Sequence, residues 1–371
     1  MRGLYLEEIT EGNTVCLVPA YQRVKGPGSS KMPVFYNPNM EFARDVTISL
    51  LSGLLDKRRK LKVLDGMAAT GIRGIRIKNE VSKRFEVTLN DINPLAVKLI
   101  KKNLELNKLE AEVENKNLNE ILATSAYDYI DVDPFGSPVE YLDLAFQSIK
   151  RRGIIGVSTT DTSVLCGTAP KVCVRRYMAK SRNNYMCHEI GLRIFLGYVA
   201  RTAAKFDRAI KPLVCFYADH YFRTFVQVEN GAGRADACLA NMGYLSVNEK
   251  TGEVRTLLSP EREALGPLWL GNLFDNDALR KMVVRENFNT SRRFNRMLEI
   301  WSEECAAEPF FYDTNELGKI FHLSPPPLEK LISALRMLGY RTVRTHISPN
   351  GFRTNGTIAH IRSVYEMLNM R

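Results

Sequence analysis

The chain has 371 residues, of which 45% are hydrophobic and 25% charged, and its formal net charge at pH 7 is +11. This length and apolar content suffice for two domains with their own cores, and they exclude a disordered chain. The apolar segment at residues 190–203 is interrupted by Arg193 and Arg201, which excludes a membrane-spanning helix. Residues 1–19 contain acids and no long apolar run, so the sequence predicts no signal peptide and a cytoplasmic location.

The seven cysteines form no C-x-x-C pair. An odd number of cysteines in a chain without a predicted signal peptide indicates reduced thiols, and most are expected to be small core residues. A zinc site would need ligands from scattered positions, so we expect no metal.

The positive charge is concentrated between residues 150 and 211, where 13 Lys and Arg face three acids. The last 101 residues carry 14 basic and 11 acidic side chains. A solubilising surface more often mixes both signs, so the basic block predicts a polyanionic partner, with nucleic acid the leading candidate. The candidate phosphate contacts, in a stretch predicted to be rich in loops, are Arg175, Arg176, Lys180 and Arg182. The alternative is a solvated basic loop.

The N-terminal region, residues 1–36, is predicted to form short strands and turns, with a loop at residues 25–30. Apolar positions then recur at helical spacing over residues 41–55, and Asn37 or Asn39 can cap that helix. Arg44 lies near the helix N-terminus, where the macrodipole disfavours a cation. It is therefore a candidate anion ligand, with an exposed arginine as an equal alternative.

Two predicted strand ends carry candidate cofactor ligands. The strand at residues 61–64 leads into a small-residue turn that begins at Asp65, and the next strand ends at Asp91. Such a turn brings backbone close to a nucleotide cofactor, and an acid at the following strand end commonly binds ribose hydroxyls. Because the G-x-G-x-x-G fingerprint is absent, this order favours a nucleoside cofactor without a pyrophosphate.

Residues 131–136, which read Asp-Val-Asp-Pro-Phe-Gly, are the candidate active site. They follow a strand predicted at residues 127–132, and Pro134 cannot extend a ladder that needs its N–H. Asp133 is therefore placed at the carboxyl end of a strand, where open α/β sheets bind ligands. A helix N-cap is the alternative. Asp131 lies two residues deeper on the same face and is expected to support Asp133 by hydrogen bonding.

The alternation of strands and helices continues with a helix ending at residue 107, a strand at 112–115, a helix after residue 138 and a strand at 153–159. This pattern is typical of a parallel sheet. An amphipathic stretch at residues 188–206 follows. Strands at 213–218 and 221–228 are joined by only two residues, so they must pair antiparallel. A mostly parallel sheet closed by such a hairpin is characteristic of the Rossmann-like class I S-adenosylmethionine-dependent methyltransferases, although a fold alone does not define a function.

The C-terminal region is predicted to be a second domain, which gives domains 1–270 and 271–371. It contains a helix at residues 314–321, a Ser-Pro-Pro-Pro break, a helix at 328–338, a strand at 340–345 and a turn at 348–351. This order resembles a winged helix. Because its net charge is modest, we expect it to position RNA rather than to provide the main binding face.

Eight motifs together resemble the archaeal tRNA guanine-26 N2-dimethyltransferase family, over nearly the entire chain. They are Phe35-Tyr36-Asn37-Pro38, residues 65–76, Asn90-Asp91-Ile92, residues 131–138, Thr160-Asp161, Cys187-His188-Glu189, Asp219-His220-Tyr221-Phe222-Arg223 and Gly266-Pro267-Leu268-Trp269-Leu270-Gly271. The D-P-F-G box with the D-H-Y-x-R hairpin is highly specific, whereas the turn at Asp65 is generic. The resemblance implies methyl transfer from S-adenosyl-L-methionine to the exocyclic amine of a guanine in tRNA.

The chemistry of an exocyclic amine agrees with three predicted catalytic residues. The lone pair of this amine is delocalised into the purine ring, so the site must localise it. The Asp133 carboxylate and the Pro134 carbonyl can each accept an N–H, and Asp133 can receive the proton. Phe135 offers a face on which an extruded base can stack, an interaction worth roughly 1–3 kcal/mol.

The cofactor-binding residues that the resemblance and the strand ends imply are Phe35, Arg44, Asp65, Arg73, Asp91, Asn117 and Leu118. In this assignment Asp91 binds the ribose hydroxyls, Asn117 and Leu118 lie beside the adenine, and Arg44 and Arg73 lie near the methionine carboxylate. Family members often carry an acid where Asn117 stands, and an amide oxygen is a weaker acceptor. Some relatives have paired cysteines before the Gly-Pro-Leu-Trp motif, but residues 243–265 contain none, so zinc is not implied.

Three alternatives stay open. Another nucleic-acid amino-methyltransferase, acting on adenine N6 or on ribosomal guanine N2, would use the same carboxylate-Pro-aromatic arrangement. An RNA-binding protein that has lost methylation activity is disfavoured by the intact Asp133 and Asp91, and a nicotinamide oxidoreductase is disfavoured by the missing glycine fingerprint.

The remaining motif residues are interpreted as follows. His188 and His220 are interpreted as hydrogen-bonded structural residues, and Thr160-Asp161 either contacts the guanine or caps a helix. The expected partner is tRNA, with no obligate protein partner.

Overall fold

The N-terminal region pairs two strands ahead of a buried helix. The computed structural model describes residues 5–20 and 32–370, and the loop predicted at residues 25–30 lies outside them. Strands β1 (Leu6–Glu11) and β2 (Thr14–Pro19) pair antiparallel, which confirms the strand prediction for the described part. A 3-10 turn, Pro38–Met40, leads into α1 (Glu41–Leu54), and Asn37 caps this turn by accepting a hydrogen bond from the Asn39 backbone.

Seven strands form the central sheet. They are β3 (Lys62–Asp65), β4 (Glu86–Asn90), β5 (Glu112–Glu114), β6 (Tyr127–Val132), β7 (Ile149–Thr159), β8 (Arg208–Ala218) and β9 (Tyr221–Asn230). Their order is β5-β4-β3-β6-β7-β9-β8. The five strands from β3 to β7 are parallel, and the hairpin β8-β9 joins antiparallel to β7. The predicted mostly parallel sheet with a closing hairpin is confirmed.

Helices of 4 to 18 residues connect these strands. They are α2 (Ile72–Arg76), which continues into the π turn Ile77–Val81, α3 (Pro94–Leu106), α4 (Leu118–Thr124), α5 (Val139–Ser148), α6 (Thr162–Leu165), α7 (Pro170–Tyr177) and α8 (Cys187–Ala204). Two predictions are wrong here. Arg175 and Arg176 lie in α7 rather than in a loop. The predicted amphipathic stretch, α8, is buried over most of its surface because it packs against β8 and also against strand β12 (Leu265–Trp269).

The strand register brings the polar residues of the candidate site to one edge of the sheet. Asp65 at the end of β3 pairs with Leu89 of β4 and with Asp131 of β6, and Asp131 pairs in turn with Gly156 of β7. The carboxyl ends of four parallel strands are therefore aligned, and this is the edge where open α/β sheets bind ligands.

A smaller antiparallel sheet follows the hairpin, in a region to which the sequence assigned no strands. It comprises β10 (Met242–Asn248), β11 (Glu253–Leu257) and β12, in the order β11-β10-β12, after helix α9 (Ala232–Leu239). The Gly-Pro-Leu-Trp motif forms β12, so its place beside α8 explains why this part of the sequence is apolar.

The C-terminal part contains α10 (Asn276–Lys281), α11 (Ser291–Glu304), β13 (Tyr312–Asp313), α12 (Thr314–Phe321), α13 (Leu328–Met337), β14 (Thr342–Arg344), β15 (Gly351–Thr354) and α14 (Ile358–Asn369). The predicted helix-break-helix-strand order is confirmed, and the strands form a sheet in the order β13-β15-β14. A separate core gathers side chains from residues 317 to 365, whereas residues 273–311 contribute to the main core. The predicted boundary at residues 270 and 271 stays a prediction.

A buried charge cluster joins the two cores. Arg353 on β15 contacts Glu189 of α8 through Nη1 at 2.8 Å and Glu304 of α11 through Nε at 2.8 Å. Arg193 pairs with the same Glu189 oxygen at 2.8 Å. Because leaving one of these charges without a partner would be costly in the interior, the cluster fixes the C-terminal part against the sheet.

Within residues 5–20 and 32–370, no helix combines the length and the apolar character needed to cross a membrane.

Candidate active site

A cavity of about 440 Å³ opens at the carboxyl ends of β3, β4 and β6. One part of its wall comes from the strand ends and turns of the first half of the sheet, and includes Gly66, Met67, Ala69, Asp91, Asn117 and Leu118. The other part comes from the N-terminal segment, the end of β6, the end of β7 and the hairpin, and includes Phe35, Asp133, Pro134, Phe135, Thr160 and Tyr221. The volume falls within the range of small-molecule sites, roughly 300–1,000 Å³.

Gly66 lines the first part of the cavity at a position where a side chain would collide with its neighbours. A Cβ on Gly66 would lie 2.7 Å from a Leu118 methyl carbon and 2.8 Å from the Asp131 carbonyl oxygen. The Gly66 N–H also donates to that carbonyl at 3.0 Å. The small-residue turn after β3 therefore brings backbone into the wall of the cavity, as the sequence predicts.

Asp91 is held rigidly in this wall. Its Oδ2 accepts the Ala69 N–H and its Oδ1 accepts the Asn93 N–H, both at 2.8 Å. Burial raises the pKa of this carboxyl, while the two backbone donors oppose the increase. Each oxygen keeps a further lone pair that can accept a ribose hydroxyl.

Asn117 and Leu118 line the cavity at the start of α4. The Asn117 side-chain oxygen caps this helix by accepting the Asn119 N–H at 2.9 Å. One of its lone pairs is therefore occupied, and the other can accept a further N–H. Leu118 is buried and supplies an apolar surface.

Asp65 lies beneath the cavity rather than in its wall. Its Oδ2 accepts the Gly74 N–H at 2.8 Å and so ties the turn to α2. Burial and the neighbouring charge of Asp131 raise its pKa. The structure therefore gives Asp65 a contact with the turn, and direct cofactor binding by this residue stays a prediction.

Neither predicted arginine lines the cavity. Arg44 is buried, so the alternative of an exposed side chain is wrong, and it donates to both carboxylate oxygens of Glu11, at 2.7 Å and 2.5 Å. It also donates to the Asn37 carbonyl at 3.3 Å. Arg73 is buried directly behind Asp133 and donates to it through Nη2. Contact of either guanidinium with a methionine carboxylate stays a prediction.

The three predicted catalytic residues share the second part of the wall. Phe135 is 54% exposed, and its ring meets the Phe35 ring edge to face with centroids 4.7 Å apart. Phe35, which was predicted to bind the cofactor, thus stands beside the stacking residue. The helix-cap alternative for Asp133 is wrong, since Pro138 occupies the N-cap position of α5 and no side chain caps that helix.

A buried ionic network lies beneath Asp133. Asp131 accepts hydrogen bonds from both terminal nitrogens of Arg223, at 3.1 Å and 2.5 Å, and from the Tyr129 hydroxyl. Burial raises the pKa of Asp131, but Arg223 and Arg73 outweigh burial and lower it. The predicted support of Asp133 by Asp131 therefore runs through Arg73, whose Nε lies 3.3 Å from Asp131.

Several residues in the wall were not among the predicted site residues, although the sequence left Thr160 as a candidate guanine contact and interpreted His220 as structural. The Tyr221 hydroxyl is buried and has no hydrogen-bond partner among the residues that the structure describes. Asp219 and His220 also line the cavity. The D-H-Y-x-R motif was the available signal, but a motif does not indicate which of its side chains face a ligand. Thr160 also lines the wall and accepts the Gly136 N–H at 2.8 Å.

The four candidate phosphate contacts have different surroundings. Arg175 is exposed and has no ion-pair partner in the described parts of the chain. Arg176 contacts Asp161 at 2.5 Å, and Arg182 contacts Glu263 at 3.2 Å. Lys180 forms a backbone bridge to Gly266. Asp161 precedes α6 but does not cap it through its side chain, so its partner Arg176 explains its burial better than capping does.

The sheet order, the closing hairpin and the cavity at the strand ends define a class I S-adenosylmethionine-dependent methyltransferase. The profile of the family described as "TRM: N2,N2-dimethylguanosine tRNA methyltransferase" matches residues 12–366. The chain belongs to this family, so the predicted family, fold, enzyme class and cofactor are confirmed.

Individual relatives match over nearly their whole length. The tRNA (guanine(26)-N(2))-dimethyltransferase of Pyrococcus furiosus is 40% identical over 95% of this chain and 96% of its own length. That of Pyrococcus abyssi is 38% identical over 94% and 96%. The solved complex of Trm1 from Pyrococcus horikoshii with S-adenosyl-L-methionine is 37% identical, with a TM-score of 0.87 over 97% of this chain and 99% of that chain.

Proposed function

We propose that this protein transfers one or two methyl groups from S-adenosyl-L-methionine to the N2 amine of guanine 26 in tRNA, the position named for its relatives. The observation that carries the proposal is that Asp133-Pro134-Phe135 and the Asp91 strand end share one cavity. A base that enters at Phe135 therefore approaches a cofactor held at Asp91.

The first part of the cavity suits the nucleoside half of the cofactor. We assign the ribose hydroxyls to Asp91, because its carboxylate is fixed by two backbone donors and keeps lone pairs in reserve. We assign the adenine to Asn117 and Leu118, which combine an amide with an apolar surface. S-Adenosyl-L-methionine supplies an electrophilic methyl group when it is bound.

The methionine half of the cofactor is assigned to the part of the site that lies nearest to Arg73 and Arg44. Arg73 lies directly behind Asp133, which lines the cavity, and donates to its carboxylate. Arg44 supports the same wall through the Asn37 carbonyl. We therefore propose that the methionine carboxylate is bound on this side of the cavity, near Arg73 and Arg44.

The second part of the cavity suits an extruded guanine. Phe135 and Phe35 present two perpendicular rings, and an aromatic face stabilises an unstacked base by roughly 1–3 kcal/mol. We assign the two N–H groups of the amine to the Asp133 carboxylate and the Pro134 carbonyl. This arrangement keeps the nitrogen lone pair out of conjugation and directed at the methyl donor.

Asp133 is also the proposed proton acceptor. As the new N–C bond forms, the nitrogen becomes positively charged and must release one proton. A positioned carboxylate that takes the proton contributes about 10²–10⁴-fold to the rate. After one transfer the amine retains a single N–H, which the same carboxylate can accept in a second round once it has released the first proton to solvent.

The basic surface beside the cavity is assigned to the tRNA backbone, with Arg175, Arg176, Lys180 and Arg182 as its candidate contacts. Arg175 is the foremost of these because the side chains of the other three already contact Asp161, the Arg262 carbonyl and Glu263. The C-terminal part is assigned a positioning role for the RNA. The cytoplasmic location and the lack of an obligate protein partner stay predictions.

Nucleoside analysis tests the proposal. The protein is incubated with methyl-labelled cofactor and a tRNA transcript carrying G26, and a matched transcript carrying A26 is the control. We expect labelled N2-methylguanosine first and N2,N2-dimethylguanosine later, from the G26 transcript alone. Label in methyladenosine, or equal label in the A26 transcript, would overturn the assignment.

A further inference from the structure

Two cysteines and a histidine meet outside the methyl-transfer cavity. Cys166 directly follows the last residue of α6, while Cys187 and His188 are the first two residues of α8. Their two Sγ atoms and a ring nitrogen all lie within 4.8 Å of one another. None of the three lines the cavity. The sequence argued against zinc because the ligands would be scattered, but the fold brings three of them together.

The surroundings of these three side chains hold them in place. The cysteines are only 7% and 9% exposed, and the His188 ring stacks on Tyr217 with centroids 4.1 Å apart and an interplanar angle of 17°. Over residues 5–20 and 32–370, neither His188 ring nitrogen has a hydrogen-bond partner. The prediction that the His188 side chain is hydrogen-bonded is therefore wrong. An oriented imidazole instead offers its lone pair beside two thiols.

We propose that Cys166, Cys187 and His188 bind one zinc ion, with water as the fourth ligand. Two thiolates and one imidazole are ligand types that zinc prefers. With Zn–S of about 2.3 Å and Zn–N of about 2.0 Å, a tetrahedral site separates its donor atoms by about 3.5–3.8 Å. The present separations, which are within 4.8 Å, therefore need to shorten by about 1.3 Å at most. On binding, each thiol releases its proton to solvent.

The position of the site gives it a structural role. Its ligands stand at the two ends of residues 166–187, the segment that carries the basic helix α7 with Arg175 and Arg176. A metal bound at both ends closes this segment into a loop and restricts it in the same way as a cross-link. The next residue, Glu189, contacts Arg353 of the C-terminal part. Zinc thus stabilises the element assigned to tRNA, and only this consequence rests on the proposed function.

Metal binding is tested directly on the full-length reduced protein. After bound metal has been removed with a chelator, Co²⁺ is titrated as a spectroscopic probe and Zn²⁺ is then added in competition. We expect one Co²⁺ per chain, with the visible bands of a tetrahedral ion and a thiolate-to-metal charge-transfer band, and displacement by Zn²⁺. Zinc should also raise the melting temperature.

Variants locate the ion. Cys187→Ser and His188→Gln should each weaken Co²⁺ binding by at least about tenfold, since even residues that only orient metal ligands contribute 10–100-fold. Cys173→Ser is the matched control, because this buried thiol lies in the same segment but outside the cluster. His188, which is only partly buried, keeps the test valid if a cysteine variant fails to fold.

Three results would overturn the proposal. They are the absence of a thiolate-cobalt spectrum, an unchanged spectrum in the His188→Gln variant, and a Cys166–Cys187 disulfide in protein that binds no metal. A lower tRNA affinity after metal removal, with unchanged cofactor affinity, would support the structural role. Equal tRNA affinity with and without bound zinc would overturn that role but leave the site.

Discussion

Arg73 donates a hydrogen bond through Nη2 to Oδ2 of Asp133, and its Nε lies 3.3 Å from Asp131. The carboxylate proposed to accept the proton is therefore attached to a buried pair of charges instead of standing alone at a strand end. Arg73 also donates through Nη1 to Thr47 at 3.1 Å, which fixes the guanidinium plane. A fixed plane sets the orientation of the Asp133 carboxylate, as a positioned general base requires.

Replacing Asp133 by Asn tests the proton-acceptor role with little change in shape. We expect the turnover number for tRNA methylation to fall by about 10²–10⁴-fold, because an amide cannot take up the amine proton. Cofactor affinity, measured by calorimetry, should change little. Asp143→Asn is the control, since Asp143 is an exposed acid on α5 that pairs with Lys205. A near-normal rate for Asp133→Asn would remove this residue from the mechanism.

Replacing Tyr221 by Phe tests a residue to which the sequence gave no role. Its hydroxyl has no partner in the described chain, so its removal should not lower the free energy of unfolding. If the hydroxyl contacts the bound guanine, kcat/KM should fall by about 5–150-fold, which corresponds to 1–3 kcal/mol.

The combination of the two measurements decides the role of Tyr221. Lower stability with unchanged kcat/KM would make the hydroxyl structural. Tyr217→Phe is the matched control, because its hydroxyl lies in the same hairpin but donates to the Asp219 carbonyl at 2.7 Å and does not line the cavity.

Local sequence predicts the strand ends well. The run that forms β6 alternates apolar residues up to Pro134, and the ring of this proline forbids further pairing, so the position of Asp133 follows from residues within a few places of it. Asp91 is found in the same way. The positions of both residues are set by a single strand and the point where it ends, and a short stretch of sequence is enough to predict these.

A short stretch of sequence does not predict contacts between residues that are distant in the chain. The sequence did not decide whether the Arg44 side chain is buried or exposed, because its partner Glu11 lies 33 residues earlier, in the hairpin of β1 and β2. The ligand cluster was missed because Cys166 and Cys187 lie 21 residues apart, one directly after α6 and the other at the start of α8. The burial of α8 was missed because β12 follows it by more than 60 residues in sequence. Hydrophobic periodicity reports which side of one element is apolar, and it carries no information on which distant element covers it.

Replacing Arg175 by Ala tests the phosphate-contact assignment. If this exposed side chain contacts one tRNA phosphate, the slope of log affinity against log salt should fall by about one, because one fewer counterion is released. Lys102→Ala is the control, since Lys102 is an exposed cation on α3, outside the basic block. An unchanged slope for Arg175→Ala would place the RNA backbone elsewhere.

Replacing Arg176 by Ala should behave differently. This side chain pairs with Asp161, which also accepts a hydrogen bond from the Tyr177 hydroxyl at 3.0 Å. We therefore expect a larger loss in turnover than in the salt slope, because the variant disturbs the segment next to Thr160 in the cavity wall. A change in the salt slope alone would make Arg176 a phosphate contact of the same kind as Arg175.

The charge cluster between the two cores predicts a dependence of stability on pH. Burial raises the pKa of Glu304, but His346 and Arg353 outweigh it and lower the pKa from its ordinary 4.5 to about 2. A carboxyl whose pKa is depressed in the folded state stabilises that state above pH 4.5, and this contribution disappears as the pH falls towards 2. The full contribution is roughly 3 kcal/mol.

Glu304→Gln tests this dependence against a neighbour. Unfolding by denaturant can be followed by the fluorescence of the buried Trp301, which stacks on Phe274. At pH 7 the free energy of unfolding of the variant should be lower by about 3 kcal/mol, because Arg353 loses one of its charge partners. The variant should also lose less stability between pH 5 and pH 3 than the wild type, because the titrating carboxyl is gone. Glu303→Gln is the control, as Glu303 is half exposed and pairs with Arg336 at 3.6 Å. If both variants follow the wild-type pH dependence, the acid sensitivity of the fold arises from carboxylates other than Glu304.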